Sequence, residues 1–367
     1  MKLVSIVGAR PQFIKAAAVS RVLRERHTEL LVHTGQHYDY EMSGAFFDGL
    51  ELPAPDVNLG VGSGSHGAQT AAMLKGIEHI LLSERPHWLL VYGDTNSTLA
   101  GALAASKLGV PIVHVEAGLR SFNRSMPEEI NRLVTDHVSS LLLCPSETAA
   151  ANLAAEGVTD QVHIVGDVML DVLTWARARL ATRPTDILQR LNLTERGYVL
   201  ATVHRSANTD DRERLGRILG AFDLLEEPIV FPVHPRTRRI IEESGFRLKP
   251  HVRLIDPVGY LEMAALTSSS RLVLTDSGGL QKEAYWLGVP CITLREETEW
   301  VETVEAGWNV LAGSDPDRIL SAAHTLDPRS PRPSLYGDGG ASRLCVELLT
   351  QASGVMGSEM QPAASAC

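Results

Sequence analysis

The sequence predicts an α/β protein made of two units, each a parallel sheet covered by helices on both faces. Three observations lead there. Apolar strand-like runs alternate with helical patterns along most of the chain, an order that implies parallel strands joined by crossover helices. The chain has 367 residues, more than the roughly 250–300 at which single cores stop growing. The alternation also breaks once, around residues 168–195, and then resumes.

Taken in order, the strands of the first half are expected at residues 2–7, 29–34, 87–92, 111–115, 139–143 and 161–165. Helical patterns lie between them, for example Ala16–Arg26, His66–Leu82 and Asn96–Leu108. The strands are short, continuous apolar runs, as strands buried on both faces are. Residues 168–182 read as a helix that Arg183-Pro184-Thr185 ends. The second series places strands near 198–203, 228–233, 251–255, 271–275 and 289–294. Its helices fall near 210–226, 235–244, 259–268, 279–287 and 297–306. A proline-containing connector over 326–337 leads to a last helix, 338–352, and from Gly354 small and polar residues suggest a frayed tail. The expected domains are therefore 1–170 and 171–337, with a flexible tail at 354–367.

Composition excludes several classes. A hydrophobic content of 44% supports two ordinary soluble cores, and a net charge of −10 argues against nucleic acid or an anionic membrane as the main partner. The N-terminal run is too short for a signal peptide and no segment is long enough to span a bilayer, so the expected location is the cytoplasm. Cys144, Cys291, Cys345 and Cys367 lie far apart without a CxxC pair, which reads as buried thiols in a reducing compartment.

Ligands of open parallel sheets bind beyond the carboxyl ends of strands, so the polar residues that close each strand are where chemistry is sought. The most informative ending follows Leu272-Val273-Leu274: Thr275-Asp276-Ser277-Gly278-Gly279-Leu280-Gln281-Lys282-Glu283. This is a strand, a glycine turn and a helix start, whose unpaired N–H groups and dipole suit a phosphate. Ser277 adds a hydroxyl, Gly278 and Gly279 admit a pyrophosphate, and Glu283 can accept hydrogen bonds from ribose hydroxyls. The first strand ends in Gly8-Ala9-Arg10-Pro11-Gln12, with Lys15 a turn further. Arg10 and Lys15 are either solvated residues at a helix start or ligands for an anion. Asp94 after Val91-Tyr92-Gly93 can be a helix cap. Glu116, directly on a buried strand end, needs a partner, and Glu128 lies in the first turn of a helix opened by Pro127. Three carboxylates on loops at one sheet edge nonetheless form a candidate acid/base cluster. In the second half, His204-Arg205 and His234-Pro235-Arg236 close two further strands. No spacing suits a zinc site, and no metal or cofactor is expected.

One motif misleads. Gly62-Ser63-Gly64-Ser65-His66-Gly67 matches GxGxxG, but it lacks a convincing strand before it and an acidic strand end at the required distance. It reads as a mobile loop lining the cleft between the units, not as a dinucleotide site. Neither a Walker A sequence nor a GxSxG elbow is present.

Together the motifs Gly8–Lys15, Thr34-Gly35-Gln36-His37, Gly93-Asp94-Thr95, His114–Arg120, Pro127–Arg132, His204-Arg205 and Thr275–Gly279 resemble those of the non-hydrolysing UDP-N-acetylglucosamine 2-epimerase family, in order, from residue 1 to about 312. The resemblance implies a glycosyltransferase-B-like fold, two Rossmann-like doubly wound domains facing a central cleft, generally as a homodimer. It also implies that the last helix, 338–352, rejoins the first domain. Asp94, Glu116 and Glu128 match the family's catalytic carboxylates, with His204 joining them. Ser277, Gly278 and Gly279 would hold phosphate, Glu283 the ribose, and Arg10, Lys15, His204 and Arg205 the diphosphate region of a UDP-sugar. The implied reaction is inversion at C2 of the sugar by elimination and re-addition of UDP through a glucal.

Two features depart from the family pattern. In members activated by a second UDP-sugar the Gln-His turn continues with arginine or glutamine, whereas here it continues Tyr38-Asp39. Gln36, His37 and His234 are left as allosteric or cleft-lining candidates. The link Ser121–Met126, with Gln281–Tyr285 and Glu297–Trp300, resembles instead the branch acting on UDP-2,3-diacetamido-2,3-dideoxyglucuronate, an alternative substrate with the same chemistry. A glycosyltransferase on the same fold, a non-catalytic nucleotide-sugar sensor and a hydrolysing variant are the other readings.

Overall fold

Strand β1 (Lys2–Val7) is buried along nearly its whole length and pairs in parallel with β2 (Thr28–His33) on one side and β4 (Trp88–Tyr92) on the other. The computed structural model to which it belongs describes residues 1–36, 50–328 and 331–359. The chain divides into two units, Met1–Val172 with Tyr336–Cys367, and Leu173–Leu335.

The first unit holds a seven-stranded sheet in the order β3-β2-β1-β4-β5-β6-β7. The remaining strands are β3 (Val57–Asn58), β5 (Ile112–Val115), β6 (Leu141–Cys144) and β7 (Val162–Ile164), every pair parallel. The second unit repeats the plan with six strands, β10-β9-β8-β11-β12-β13. These are β8 (Val199–Thr202), β9 (Ile229–Pro232), β10 (Val252–Ile255), β11 (Leu272–Thr275), β12 (Cys291–Thr293) and β13 (Asn309–Leu311), again all parallel. Both sheets are doubly wound, as the sequence predicts. In the first, winding reverses between β1 and β4; in the second, between β8 and β11. Those switch points are where such folds open a crevice for ligand.

Each sheet is packed by helices. Against the first lie Met73, Ile77 and Ile80 of the helix His66–Glu84 and Ala100, Ala104 and Ala105 of Asn96–Leu108, meeting Val4, Ile6, Leu89 and Val91. In the second, Leu215, Ile218 and Phe222 of the helix Arg212–Leu224 pack on one face, and Leu266, Leu280 and Ala284 on the other. The last helix, Ala341–Glu359, lies in the first unit, where Asp171 accepts from the backbone N–H groups of Ala341 (3.2 Å) and Ser342 (2.7 Å).

Several boundaries differ from expectation. The first helix starts at Arg10, not Ala16, because Gln12 Oε1 accepts from Gly8 N (2.8 Å) and Ala9 N (3.1 Å) and so caps the turn that Pro11 opens. The helix expected at 297–306 shrinks to Val301–Glu305, since Arg295 and Thr298 bond Glu299 and Gln281 and hold the preceding residues as a loop. Unexpected elements are the two short outer strands β3 and β13 and the helix Pro316–Thr325, capped by Asp315. The last helix continues to Glu359, past Gly354 and Gly357; each glycine costs a helix only about 1 kcal/mol. Within the GxGxxG segment Ser65 caps the helix His66–Glu84 by accepting from Ala68 N, so the last two residues of the motif are already helical.

Cys144, Cys291 and Cys345 are buried free thiols. Burial pushes Cys144 and Cys291 up to about 12, and Cys345 well above the ordinary thiol range. Among the described residues no helix is long and apolar enough to cross a membrane, and no group of three His, Cys, Asp or Glu side chains is set to hold a metal ion.

Glycine matters most at the first switch point. A Cβ on Gly8 would stand 2.1 Å from Ser97 Oγ and 2.2 Å from Thr34 Oγ1, whereas one on Gly220, inside the helix Arg212–Leu224, would meet nothing. Gly8→Ala is therefore expected to destabilise by about 1–3 kcal/mol, and Gly220→Ala to stabilise by about 0.5–1 kcal/mol. Urea unfolding of the two variants checks the opposite signs.

Candidate active site

In the first unit the segments after β1 and β5 bring two opposite charges together beside the end of β4. β4 is followed by Gly93, whose φ of +61° turns the chain away from the sheet. A Cβ there would lie 2.8 Å from Lys15 Nζ and 3.1 Å from Glu116 Oε2, so glycine leaves room for a pair of opposite charges. Lys15, from the second turn of the helix Arg10–Leu23, donates to Glu116, and neither side chain is more than 7% exposed. Glu116 follows β5 in the left-handed region, φ +72°, an unusual conformation for a residue with a Cβ. Its backbone N–H is fixed on Leu143 O at 3.0 Å.

Asp94 is next to Gly93. Its carboxylate receives Arg132 Nη2 at 2.5 Å, and its carbonyl receives Asn131 Nδ2 at 2.9 Å. Both donors lie on the helix Pro127–Val138, which also carries Glu128 in its first turn, one turn before Arg132. Arg132 is held in turn by Glu129 at 3.0 Å, and Glu129 accepts from Ser121 and Phe122 of the preceding loop. Glu128 is half-buried and has no ion pair among the described residues. The three expected carboxylates are thus differently equipped: Glu116 lies on a buried ammonium, Asp94 on a guanidinium, and Glu128 on neither.

Beneath them runs a second buried network. His114, on β5, gives Nδ1 to Asp136 Oδ1 (2.6 Å) and Nε2 to Gly93 O (2.8 Å). Asp136 Oδ2 accepts from Arg120 Nη1 (2.7 Å) and Gly118 N (3.2 Å). Burial opposes ionisation of Asp136, yet His114 and Arg120 together hold its carboxyl below the usual carboxylate range. Arg120 also grips Glu156 through two bonds, which lowers that carboxyl too.

In the second unit the switch point is organised by Asp276, at the end of β11. Its fully buried carboxylate accepts from the backbone N–H groups of His204 (3.1 Å) and Arg205 (3.0 Å), and from Asn208 Nδ2 (3.1 Å). This fixes the loop after β8 against the loop after β11. Beneath it Thr202 and Thr275 share a hydroxyl hydrogen bond of 2.5 Å across the two strands. Ser277 caps the helix Gly278–Leu287, leaving it, Gly278 and Gly279 half-buried. A Cβ on Gly278 would come within 3.2 Å of Trp300 Nε1. His204 is half exposed beside Asp276, and the Arg205 guanidinium has no ion-pair partner among the described residues. Glu283 is buried one turn beyond the glycines.

The other candidates have structural contacts. Arg10 is half-buried at the start of the first helix. Gln36 Oε1 accepts from Ser97 N and Oγ, at 3.2 and 2.7 Å, and so tethers its loop to the helix Asn96–Leu108. His234 is exposed and caps the helix Pro235–Glu243 through Nδ1. His37, with Tyr38 and Asp39, lies outside the described residues. The sequence reading did not single out Asp136, Arg132 or Asp276. A carboxylate directly on the end of a buried strand was the available signal for Asp276, as it was for Glu116.

Comparison with known proteins decides the family. The model of the UDP-N-acetylglucosamine 2-epimerase family matches residues 21–350. The chain belongs to this family. A UDP-N-acetylglucosamine 2-epimerase homolog of Methanococcus maripaludis is 54% identical, over 95% of this chain and 99% of its own. The UDP-2,3-diacetamido-2,3-dideoxy-D-glucuronate 2-epimerase of Pseudomonas aeruginosa is 51% identical, over 96% of this chain and 100% of its own. The crystal structure of the Methanocaldococcus jannaschii UDP-GlcNAc 2-epimerase in complex with UDP-GlcNAc and UDP superposes with a TM-score of 0.90 at 41% identity, covering 96% of this chain and all of that one. The family and the glycosyltransferase-B-like plan of two doubly wound sheets stand as the resemblance implied.

The Lys15–Glu116 pair gives a direct test of this epimerase's charge balance. Removing one partner of a buried pair leaves an uncompensated charge, at a cost of about 3–5 kcal/mol. Lys15→Met is expected to lose about that much in urea unfolding, while Lys15→Met combined with Glu116→Gln regains most of it. Equal losses in the single and double variants would contradict the pairing.

Proposed function

We propose that this epimerase interconverts UDP-N-acetylglucosamine and its manno epimer without hydrolysis. The observation that supports the reading is that Asp94 and Glu116 follow the paired strands β4 and β5, and that Asp94 is bonded to the helix carrying Glu128, in a chain whose family inverts a sugar at C2.

The C2 proton of such a sugar has no adjacent carbonyl to make it acidic, so abstraction and return alone is closed. Elimination opens a route. A carboxylate takes the C2 proton, the C–H electrons form the C1–C2 double bond, and the C1–O bonding pair leaves with the UDP β-phosphate oxygen. Re-addition of UDP to C1 with protonation of C2 from the opposite face gives the epimer. No net oxidation occurs, so no redox cofactor is called for. In this reading Asp94, Glu116, Glu128 and His204 carry protons near C2 and C1. Lys15 and Arg10 balance charge in the first unit. Ser277, Gly278 and Gly279, with His204 and Arg205, hold the departing diphosphate, and Glu283 the ribose. An Arg205 guanidinium with no ion-pair partner among the described residues suits an anionic ligand. The same reading carries a cytoplasmic homodimer.

A second substrate has its own support. The 51% identity to the P. aeruginosa enzyme favours UDP-2,3-diacetamido-2,3-dideoxyglucuronate as the alternative. Proton NMR in deuterated water, with each UDP-sugar offered alone, tests both readings. The expected result is an epimer carrying deuterium at C2, without acceptor and without free sugar. Free sugar and UDP would mean hydrolysis, and turnover only with an acceptor would mean a transferase. Binding of UDP without any C2 exchange in the wild type would mean a sensor. Asp94→Asn is expected to keep its UDP affinity within about twofold while kcat falls by about 100-fold or more.

A further inference from the structure

All three carboxylate-bearing segments of the first unit converge on one ion pair that touches none of the carboxylates themselves. His114 and Asp136 are each 0% exposed. From this pair, Nε2 of His114 holds the carbonyl of Gly93, the residue before Asp94. Asp136 Oδ2 holds the N–H of Gly118, two residues after Glu116. Asp136 itself lies on the helix Pro127–Val138, whose first turn carries Glu128 and whose Arg132 grips Asp94.

Both ring nitrogens of His114 meet oxygen atoms, a carboxylate at 2.6 Å and a backbone carbonyl at 2.8 Å. Asp136 is fully engaged as well, by His114, Arg120 Nη1 and Gly118 N. Gly118 cannot drift: its φ is +80°, Asn152 Nδ2 holds its carbonyl at 3.0 Å, and a Cβ there would stand 2.3 Å from Ala149 O. A buried ion pair contributes little stability compared with apolar residues of the same volume. Its return is geometric, since a charged bridge between a carbonyl and an N–H fixes two loops in one register.

We propose that His114 and Asp136 are positioning residues for the epimerisation, setting the mutual placement of Asp94, Glu116 and Glu128 without meeting substrate. This rests on the functional reading above. Loss of the bridge lets the Gly93–Asp94 turn and the Glu116–Gly118 loop move independently, and misplacements of about 1 Å cost on the order of 100-fold in rate.

The test uses the full chain. Asp136→Asn keeps size and shape but turns one carboxylate oxygen into an amide donor, so it no longer serves His114, Arg120 and Gly118 together. Its kcat, counted per UDP-binding site by titration with UDP, is expected to fall at least about tenfold while the UDP Kd stays within about twofold. A purely structural role would lower the number of UDP-binding sites or the melting temperature and leave kcat per site unchanged; that result overturns the proposal. His114→Gln, which retains one amide donor, serves as the second variant and is expected to lose kcat in the same way. Wild type inert towards both UDP-sugars would instead strike the functional reading.

Discussion

A carboxylate at the end of a buried strand must be matched by a cation or saturated with hydrogen-bond donors, and this requirement organises both units. Parallel sheets bury their strands on both faces, so acids placed at strand ends start with little water. Each is answered differently. Asp276 is saturated by the backbone of His204 and Arg205 and by Asn208. Asp136, buried on the helix Pro127–Val138 and not at a strand end, meets the same demand through His114 and Arg120. Glu116 has the Lys15 ammonium, and Asp94 the Arg132 guanidinium.

Asp276 acts as a staple: donors of His204, Arg205 and Asn208 converge on it and shape the loop after β8. Glu116 is paired with the Lys15 ammonium and Asp94 with the Arg132 guanidinium, and Glu128 has no ion pair among the described residues. Glu116 is held at φ +72° between a glycine at +61° across the strand pair and another at +80° two residues on. Left-handed backbone at a residue with a Cβ costs about 1–3 kcal/mol and persists where surrounding contacts over-determine it. Here those contacts are Lys15, Leu143 O and the Gly118 anchor.

The sequence showed the central strands well, because strands buried on both faces are continuous apolar runs with turns at their ends. It missed β3 and β13, since Val57-Asn58 and Asn309-Val310-Leu311 are too short and too broken by polar residues to read as apolar runs. The Ser277–Gly279 turn and the strand-end acids were legible because their meaning is local: a residue type at a known offset from an apolar run. The partners of those acids were not. Arg132 is 38 residues from Asp94, and Asp136 is 22 from His114. On the helix Pro127–Val138 both look like ordinary polar positions. Only the winding of β4 and β5 past that helix makes them part of the site.

That asymmetry has a physical source. Which residues must be acidic is dictated by the reaction and can be read one at a time. How far apart they stand is dictated by packing, which is a property of pairs. In the first unit the packing task falls on polar and charged groups: His114, Asp136, Arg120 and Glu156 form one connected chain from the Gly93 carbonyl to the partly exposed Glu156 carboxylate. An apolar filling of the same volume would hold the fold, but dispersion forces have no direction and would leave each loop to find its own register. Hydrogen bonds between charged groups are short and directional, and they fail steeply with misalignment. A site that must work on both faces of one carbon needs its acids set against each other, and a directional charged frame beneath them meets that need where an oily one would not.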